Sequence, residues 1–344
     1  MSASVAAGSI ASPPAAVRRR RLVIWVASGV LLFALGLAGL TLGDAPISPA
    51  NALAALFGGG DGGTRLIVVG WRLPRVVLGA VIGAMLALAG ALFQVVTRNP
   101  LGSPDILGFS AGAYTGALLV MIGGTVSTFA LSAGAIGGGI ASAALVFALV
   151  AWRGATGTRL IIVGIALTAM LGAVNTMIEL AADDVVARSA AIWGAGSLNG
   201  IDGRWMPVLV TTLVLGAVAT AWLRPALTLY ELGEDRAASL GVRPVRLRIA
   251  AMVIGVVLLA ITIAAAGPIA FVALAAPQIA RRLWRSGPMP FAASAMTGAV
   301  LLVLSDLLAM RLFAPTMLPT GLVTIGIGGL YLAWMLSGAN RRRR

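Results

Sequence analysis

Side chains able to do chemistry are few in this sequence and fall into four groups. The charged set is 25 arginines and 11 carboxylates in 344 residues, with no lysine, histidine or cysteine. Without lysine a phosphate-loop ATPase motif cannot be written, and without histidine or cysteine no Ser–His or Cys–His nucleophile can be assembled. Disulfides, thiolate chemistry and imidazole metal sites are excluded in the same way. The expectation is a chain that is not an enzyme and holds no metal and no cofactor of its own.

The first group is the stretch 224–248, RPALTLYELGEDRAASLGVRPVRLR, the longest charge-rich interruption in the second half of the chain. Leu232 and Gly233 followed by Glu234 and Asp235 suit a helix start, with acids at the positive end of the helix dipole. Leu240, Gly241 and Pro244 suit its stop. The resulting helix, about two turns long, is too short to persist alone in water and must rest on something. Ala237, Ala238 and Leu240 offer a small apolar face to a partner's cleft; a plain re-entrant connector is the alternative.

Arg72 and Arg75, flanking Pro74, form the second group. Exposed cations there suit steering of an acidic partner, and snorkelling to lipid headgroups is the equally simple reading. Asp306 is the third: a carboxylate inside an apolar run is costly, so it should face protein or water, paired with Arg311 or a neighbouring backbone donor. Proton coupling through Asp306 is the rival role, although no histidine completes a relay. The fourth group is two breaks. Asn99-Pro100-Leu101-Gly102-Ser103-Pro104-Asp105 and Gly267-Pro268, the latter followed at once by Ile269-Ala270-Phe271, cannot be continuous helix. Within a membrane such backbone is tolerated where protein buries it or water reaches it, so both are candidates for cavity lining or for tight hairpins.

The elements that must position these groups are apolar. The chain is 59% hydrophobic, 10% charged and has a mean hydropathy of +1.00, which reads as an all-α polytopic membrane protein. Ten apolar runs are predicted at 22–42, 73–96, 106–122, 129–152, 160–180, 206–223, 249–266, 269–283, 291–313 and 318–336. With both termini cytoplasmic, alternation places 19 of the 25 arginines on the cytoplasmic side, as the positive-inside bias requires. Domains follow: a cytoplasmic tail over 1–21, a ten-span body over 22–336 that includes the segment 224–248, and a basic tail over 337–344. The net charge of +14 is accounted for by this bias and needs no nucleic acid. The 44 glycines, among them Gly79-xxx-Gly83 and Gly112-xxx-Gly116, suit close helix packing. Spans two to five and seven to ten begin on opposite sides, each near a broken hairpin, which is compatible with an inverted duplication.

Five stretches, RLPRVVLGAVIGAMLALAGALFQVVTRNPLGSPDILGFSAGA, WGAGSLNG, LGEDRAASLGV, AGPIAFVALAAPQIARR and SDLLAMRLFAPTMLPTGLVT, resemble in order the FecCD-type permeases of bacterial ABC importers for iron-siderophore complexes and vitamin B12. RNPLGSPDILGF and AGSLNG are most similar to the ferric-enterobactin branch. The resemblance implies a type II ABC importer permease fold in the bacterial cytoplasmic (inner) membrane. It also implies ATP on a partner ABC ATPase dimer, a second, related permease subunit, and an extracytoplasmic siderophore-binding protein. It makes Leu232, Gly233, Glu234, Asp235, Ala238, Leu240 and Gly241 the coupling helix that docks on the ATPases, and Arg72 and Arg75 partners for glutamates of the binding protein. Spans five and ten would line the route, with Gln94, Asn99, Pro100, Gly267, Pro268, Phe271 and Pro277 at its hairpins.

Two positions depart from the pattern. Gln278 stands where many relatives have histidine. Met310 stands where vitamin B12 relatives carry a third mouth arginine, and Arg311 follows about 100° around the helix as the remaining docking candidate. Vitamin B12 or haem as cargo, and a proton-coupled secondary transporter, are the alternatives. An intact chelate suits the chain, because bare transition metals would want imidazole or thiolate ligands along the path.

Overall fold

Lipid offers a backbone no hydrogen-bond partners, so apolar runs of this kind close their bonds internally as helices. In the computed structural model, which describes residues 15–43, 45–124, 127–151, 157–285, 287–314 and 316–341, every regular element is helical. Asp44, Arg153, residues 1–14 of the predicted N-terminal tail and Arg342–Arg344 of the basic tail lie outside the described residues.

Helix α1 (Ala15–Thr41) is followed by a short α2 (Pro49–Leu56) and by α3 (Gly62–Arg65), which runs through a π-helical turn, Leu66–Arg72, into α4 (Leu73–Thr97). Then come α5 (Phe109–Ile122), α6 (Thr128–Ala151), α7 (Gly157–Ala181), α8 (Asp184–Gly194) and α9 (Met206–Tyr230). The chain ends with α10 (Glu234–Ser239), α11 (Pro244–Ala266), α12 (Val272–Trp284), α13 (Phe291–Arg311) and α14 (Thr320–Arg341).

Among the described residues, seven helical stretches are long and apolar enough to cross a membrane. The count of ten full spans is not reproduced. The third predicted run is a helix of 14 residues and the eighth one of 13, about 20 Å each, and the apolar part of the last is Thr320–Trp334. Helices α2, α3 with the π-helical turn after it, and α8 lie outside the predicted runs. The polar stretch 224–248 is also shorter than it reads. Helix α9 continues through Pro225 to Tyr230 because Leu227 and Tyr230 are buried, and α11 starts with Pro244 in its first turn, where its missing N–H costs nothing.

Helix α4 is the central post. Of its most apolar stretch 78% is buried, against 6% for α1. Its neighbours reach it by backbone contact: a Cβ on Gly83 would overlap the carbonyl of Gly298 in α13, and a Cβ on Gly298 would overlap that of Gly83. Helices α5 and α6 meet likewise through Gly112 and Gly116 against Gly138 and Gly134, so both glycine pairs singled out in the sequence include a residue at such a contact. Leu78, Ile82, Met85, Leu86, Leu92 and Phe93 of α4 complete the core with Phe109, Leu258, Leu259 and Leu302.

Adjacent glycines of α6 give opposite expectations for one substitution. A methyl on Gly138 meets the backbone of Gly112 and Gly116, whereas a methyl on Gly137 meets nothing within 4 Å. Gly138→Ala should lower the unfolding free energy of the purified chain by about 1–3 kcal/mol. Gly137→Ala should be neutral or stabilise by up to about 1 kcal/mol; thermal or denaturant titration in detergent checks both.

Candidate functional site

Charged side chains gather at the two ends of the bundle, and at each end they tie together helices far apart in sequence. At one pole lies α10. Gly233 precedes it at φ 121°, open to glycine alone without strain, and Glu234 and Asp235 occupy its first turn. Ala237 is fully buried against the body of the protein, which corrects its expected place on the partner-facing side. Leu232 and Leu240 are more than half exposed, and Asp235, Arg236 and Ala238 are exposed beside them.

Most of the groups that hold this helix in place, Glu234 apart, are not singled out by the sequence. Glu231, just before α10, accepts from the Arg281 guanidinium of α12 through Oε1, and from the backbone N–H of Met289, ahead of α13, through Oε2 at 3.0 Å. Glu234 lies 3.7 Å from Arg248 of α11, whose side chain is buried. Arg98, at the end of α4, sits 6.0 Å from the centre of the buried Tyr230 ring. The end of α9, the turn after it and the first residue of α10 are thus linked to α4, α11, α12 and the start of α13.

Helix α12 is the unusual member of that set. Pro277 lies inside it and frees the carbonyl of Ala273, which points at Gly90 of α4, where a Cβ would overlap it. One helical step on, the Leu274 carbonyl accepts from Gln94 Nε2 at 3.0 Å, and Gln278 donates to Gln94 Oε1 at 2.5 Å. Gln94 and Pro277 are therefore buried in a helix contact. None of the three cavities described below is lined by them.

The two broken segments enter the bundle from opposite ends. Asn99 and Pro100 sit at the α10 pole, where Asn99 Oδ1 accepts from the Leu101 N–H at 2.8 Å. From there the chain climbs inward to Asp105, which accepts from Ser110 Oγ at 2.6 Å. At the far end, the Ala266 carbonyl accepts from the Ser197 N–H at 2.8 Å. Gly267 (φ 71°) packs against the Trp193 carbonyl, and Pro268 packs against Gly196. The chain then descends to Phe271, in the left-handed region at φ 69°, whose ring packs on Gly328 of α14. The backbone amide of Phe271 lies beside the buried carboxylate of Asp105.

The opposite pole is organised by Asp306. Arg75 donates to both its oxygens, at 2.8 and 3.0 Å, and Thr320 of α14 donates to Oδ1 at 2.8 Å. The predicted partner Arg311 is instead exposed and reaches the Gly43 carbonyl at 3.5 Å: Arg311 follows Met310 around α13 and faces the end of α1, while Asp306 faces α4. Arg75 also donates to Asn199 Oδ1 at 3.3 Å, and the Leu198 N–H donates to Thr320 Oγ1. Arg72 caps the end of α1, donating to the carbonyls of Leu40 (2.9 Å) and Ala45 (2.6 Å). Both arginines line a cavity of about 550 Å³ with Asn199, Asp202, Asp306 and Met310. Asp202 is held below the usual carboxylate range by the backbone amide and the guanidinium of Arg204. A larger open groove of about 980 Å³ adjoins it, walled by Phe129, Trp193 and Trp205.

No three histidine, cysteine or acidic side chains group as metal ligands among the described residues. What the arrangement does offer is a six-residue helix beside ion pairs at one pole, the Arg75–Asp306 ion pair at the other, and broken backbone between them. Such an architecture defines a multi-pass membrane transport component. Residues 31–338 match the FecCD transport family, and the chain belongs to it. It is 41% identical to the ferric enterobactin transport system permease protein FepG of Escherichia coli, over 95% of this chain and 99% of that one. It is 33% identical to the iron(3+)-hydroxamate import system permease protein FhuG of Bacillus subtilis, over 93% and 98%. Among solved structures, a metal-chelate type ABC transporter in an inward-facing conformation matches with a TM-score of 0.79 at 24% identity, over 91% of this chain and 97% of that one, which is a likeness of fold.

Asp306→Asn leaves the part-buried Arg75 without its counter-charge and should cost about 3–5 kcal/mol. The double change Arg75→Met, Asp306→Leu should recover most of that loss, and unfolding midpoints of the purified variants measure both.

Proposed function

We propose that this chain is the membrane-spanning permease subunit of an ABC importer that carries an iron-siderophore complex inward across the bacterial cytoplasmic membrane, driven by ATP hydrolysis on separate subunits. The observation that carries the reading is the 41% identity to the ferric enterobactin permease along nearly the whole of both chains. On this reading the chain crosses the membrane ten times with both ends in the cytoplasm, and α10 docks on an ATPase dimer. The cavity around Arg72 and Arg75 receives an extracytoplasmic siderophore-binding protein, and a second, related permease completes the pathway. The chain itself binds no cofactor.

The geometry supports a route for the motion. A push on Leu232, Ala238 and Leu240 moves Glu231 and Glu234 with the helix, and these draw on Arg281 and Arg248. Arg281 belongs to the proline-kinked α12, which begins beside Asp105 and packs on α14 through Phe271 and Gly328. Helices α7 and α14 present apolar side chains outward, Ile162, Ile165, Met170 and Met177 on one and Leu322, Ile325 and Leu330 on the other, the weakly interacting wall that a bulky chelate needs to pass. A proton-coupled mechanism through Asp306 is disfavoured by its engagement with Arg75 and Thr320.

In vesicles holding the assembled transporter, Glu234→Arg with Leu240→Asp should abolish ATP-dependent uptake of the ferric siderophore while the binding protein still docks. Uptake at clamped ATP should survive an uncoupler in the wild type. Glu231→Gln leaves the exposed face of α10 intact and should lower uptake about 2- to 30-fold, the span given by coupling changes of about 0.5–2 kcal/mol; unchanged transport in either variant would remove the lever from the mechanism.

A further inference from the structure

Beside the α10 pole, on the flank of the bundle, α1, α9, α12 and α13 enclose a cleft of about 370 Å³. Two of its lining residues are arginines, Arg21 of α1 and Arg224 of α9, and none is a carboxylate. Among the described residues, neither guanidinium has an ion-pair or hydrogen-bond partner. Trp284 lines the same cleft. It is 95% buried, and its indole N–H meets no acceptor. Trp25 stands edge-on to it, with ring centres 5.7 Å apart.

Two unanswered guanidinium groups with no acid among them call for an anion with several oxygens. Away from the arginines the lining turns apolar, through Ala217 and Leu213 to Leu88 in the middle of α4. From Arg224 to Leu213 the cleft follows α9 for eleven residues, about 16 Å, a trough of acyl-chain dimensions. Outside it α9 exposes Val214, Leu215, Val218 and Trp222, the composition of a face that meets lipid. A soluble anion would satisfy the donors and leave the trough empty, whereas an anionic lipid fills both.

We propose that this cleft is a binding site for one anionic phospholipid, its phosphate held by Arg21 and Arg224 beside the Trp284 ring and one acyl chain laid along α9 toward Leu88. Basic pockets between helices at headgroup level recognise lipids in this way. The site matters most for α1, the least embedded of the long helices, with 6% of its apolar stretch buried. At this end α1 is attached through Arg20, which donates to the Leu283 carbonyl, and through Trp25. A lipid bridging Arg21 to Arg224 would fasten α1 to α9.

The test is native mass spectrometry of the purified full-length chain in detergent, with phosphatidylglycerol and phosphatidylcholine of identical acyl chains at equal concentration. The wild type should retain phosphatidylglycerol at least about tenfold over phosphatidylcholine, the scale expected for two basic side chains at an anionic headgroup. Arg21→Gln with Arg224→Gln should bring the two lipids level, while Arg243→Gln with Arg246→Gln, also near the α10 pole but outside the cleft, should change nothing. Ala217→Trp, which fills the trough and keeps both arginines, should lose the bound lipid; if that variant does not fold, Arg21→Lys with Arg224→Lys should keep the preference. Equal retention of the two lipids by the wild type, an unaltered preference in the double glutamine variant, or displacement of phosphatidylglycerol by millimolar inorganic phosphate would each overturn the proposal.

Discussion

Where a helix breaks inside a membrane bundle it releases backbone carbonyls that no water can answer, and the groups that answer them fix how the helices sit. The carbonyl of Gly108 accepts from Ser142 Oγ of α6, and that of Ile106 from Thr168 Oγ1 of α7. At the other break Ser132 Oγ donates to Ala264 and the Ser197 amide to Ala266, while Gln94 serves Leu274 within α12. Each is a contact between elements distant in sequence, so satisfying the breaks and assembling the bundle are one event. This is the sense in which the irregular segments organise the protein.

The interior of the bundle and its α10 end differ in character. Inside, the helices approach through glycine and leave no room to slide, as at Gly83 with Gly298 and Gly112 with Gly138. At the α10 pole the links are ionic and partly exposed: Glu231 with Arg281, Glu234 with Arg248, Arg98 over Tyr230. Such links tolerate small displacements that a close-packed backbone contact does not. Helix α12 is anchored in both layers, through Arg281 to Glu231 and through the Ala273 carbonyl against Gly90.

Much of this was legible in the sequence, and what was not has identifiable causes. The apolar runs gave the long helices, and the acids after Gly233 with Pro244 beyond gave the limits of α10. The partner of Asp306 was missed because Arg75 lies 231 residues away; yet the alternation of spans places the start of the second and the end of the ninth at one pole, so the opposite charges carried a readable signal. Glu231 carries no helix-start signal, because it lies before Gly233 rather than in the first turn of α10. Helix α2 lies in the 30-residue connection between the first two predicted runs, where Ser48 and Pro49 write a helix start, with the Ser48 side chain accepting from the Asn51 amide. Helix α8 follows Asp183, a residue type common at helix starts, although its side chain makes no capping hydrogen bond. The shortening of α5 and α12 was not readable from hydropathy, since the residues of a non-helical approach such as Ile106 and Leu107 are as apolar as those of the helix they precede.

The clasp of Asp306 also bears on how the polypeptide comes to be built. Arg75 stands at the start of the fourth helix and its counter-ion in the thirteenth, so during synthesis the cation is delivered to the bilayer long before anything can neutralise it. More than two hundred residues must be threaded before the clasp can close, and Thr320 arrives later still. Pairing of Arg75 is therefore a late event in synthesis, and a chain interrupted before the thirteenth helix carries that arginine without its counter-charge.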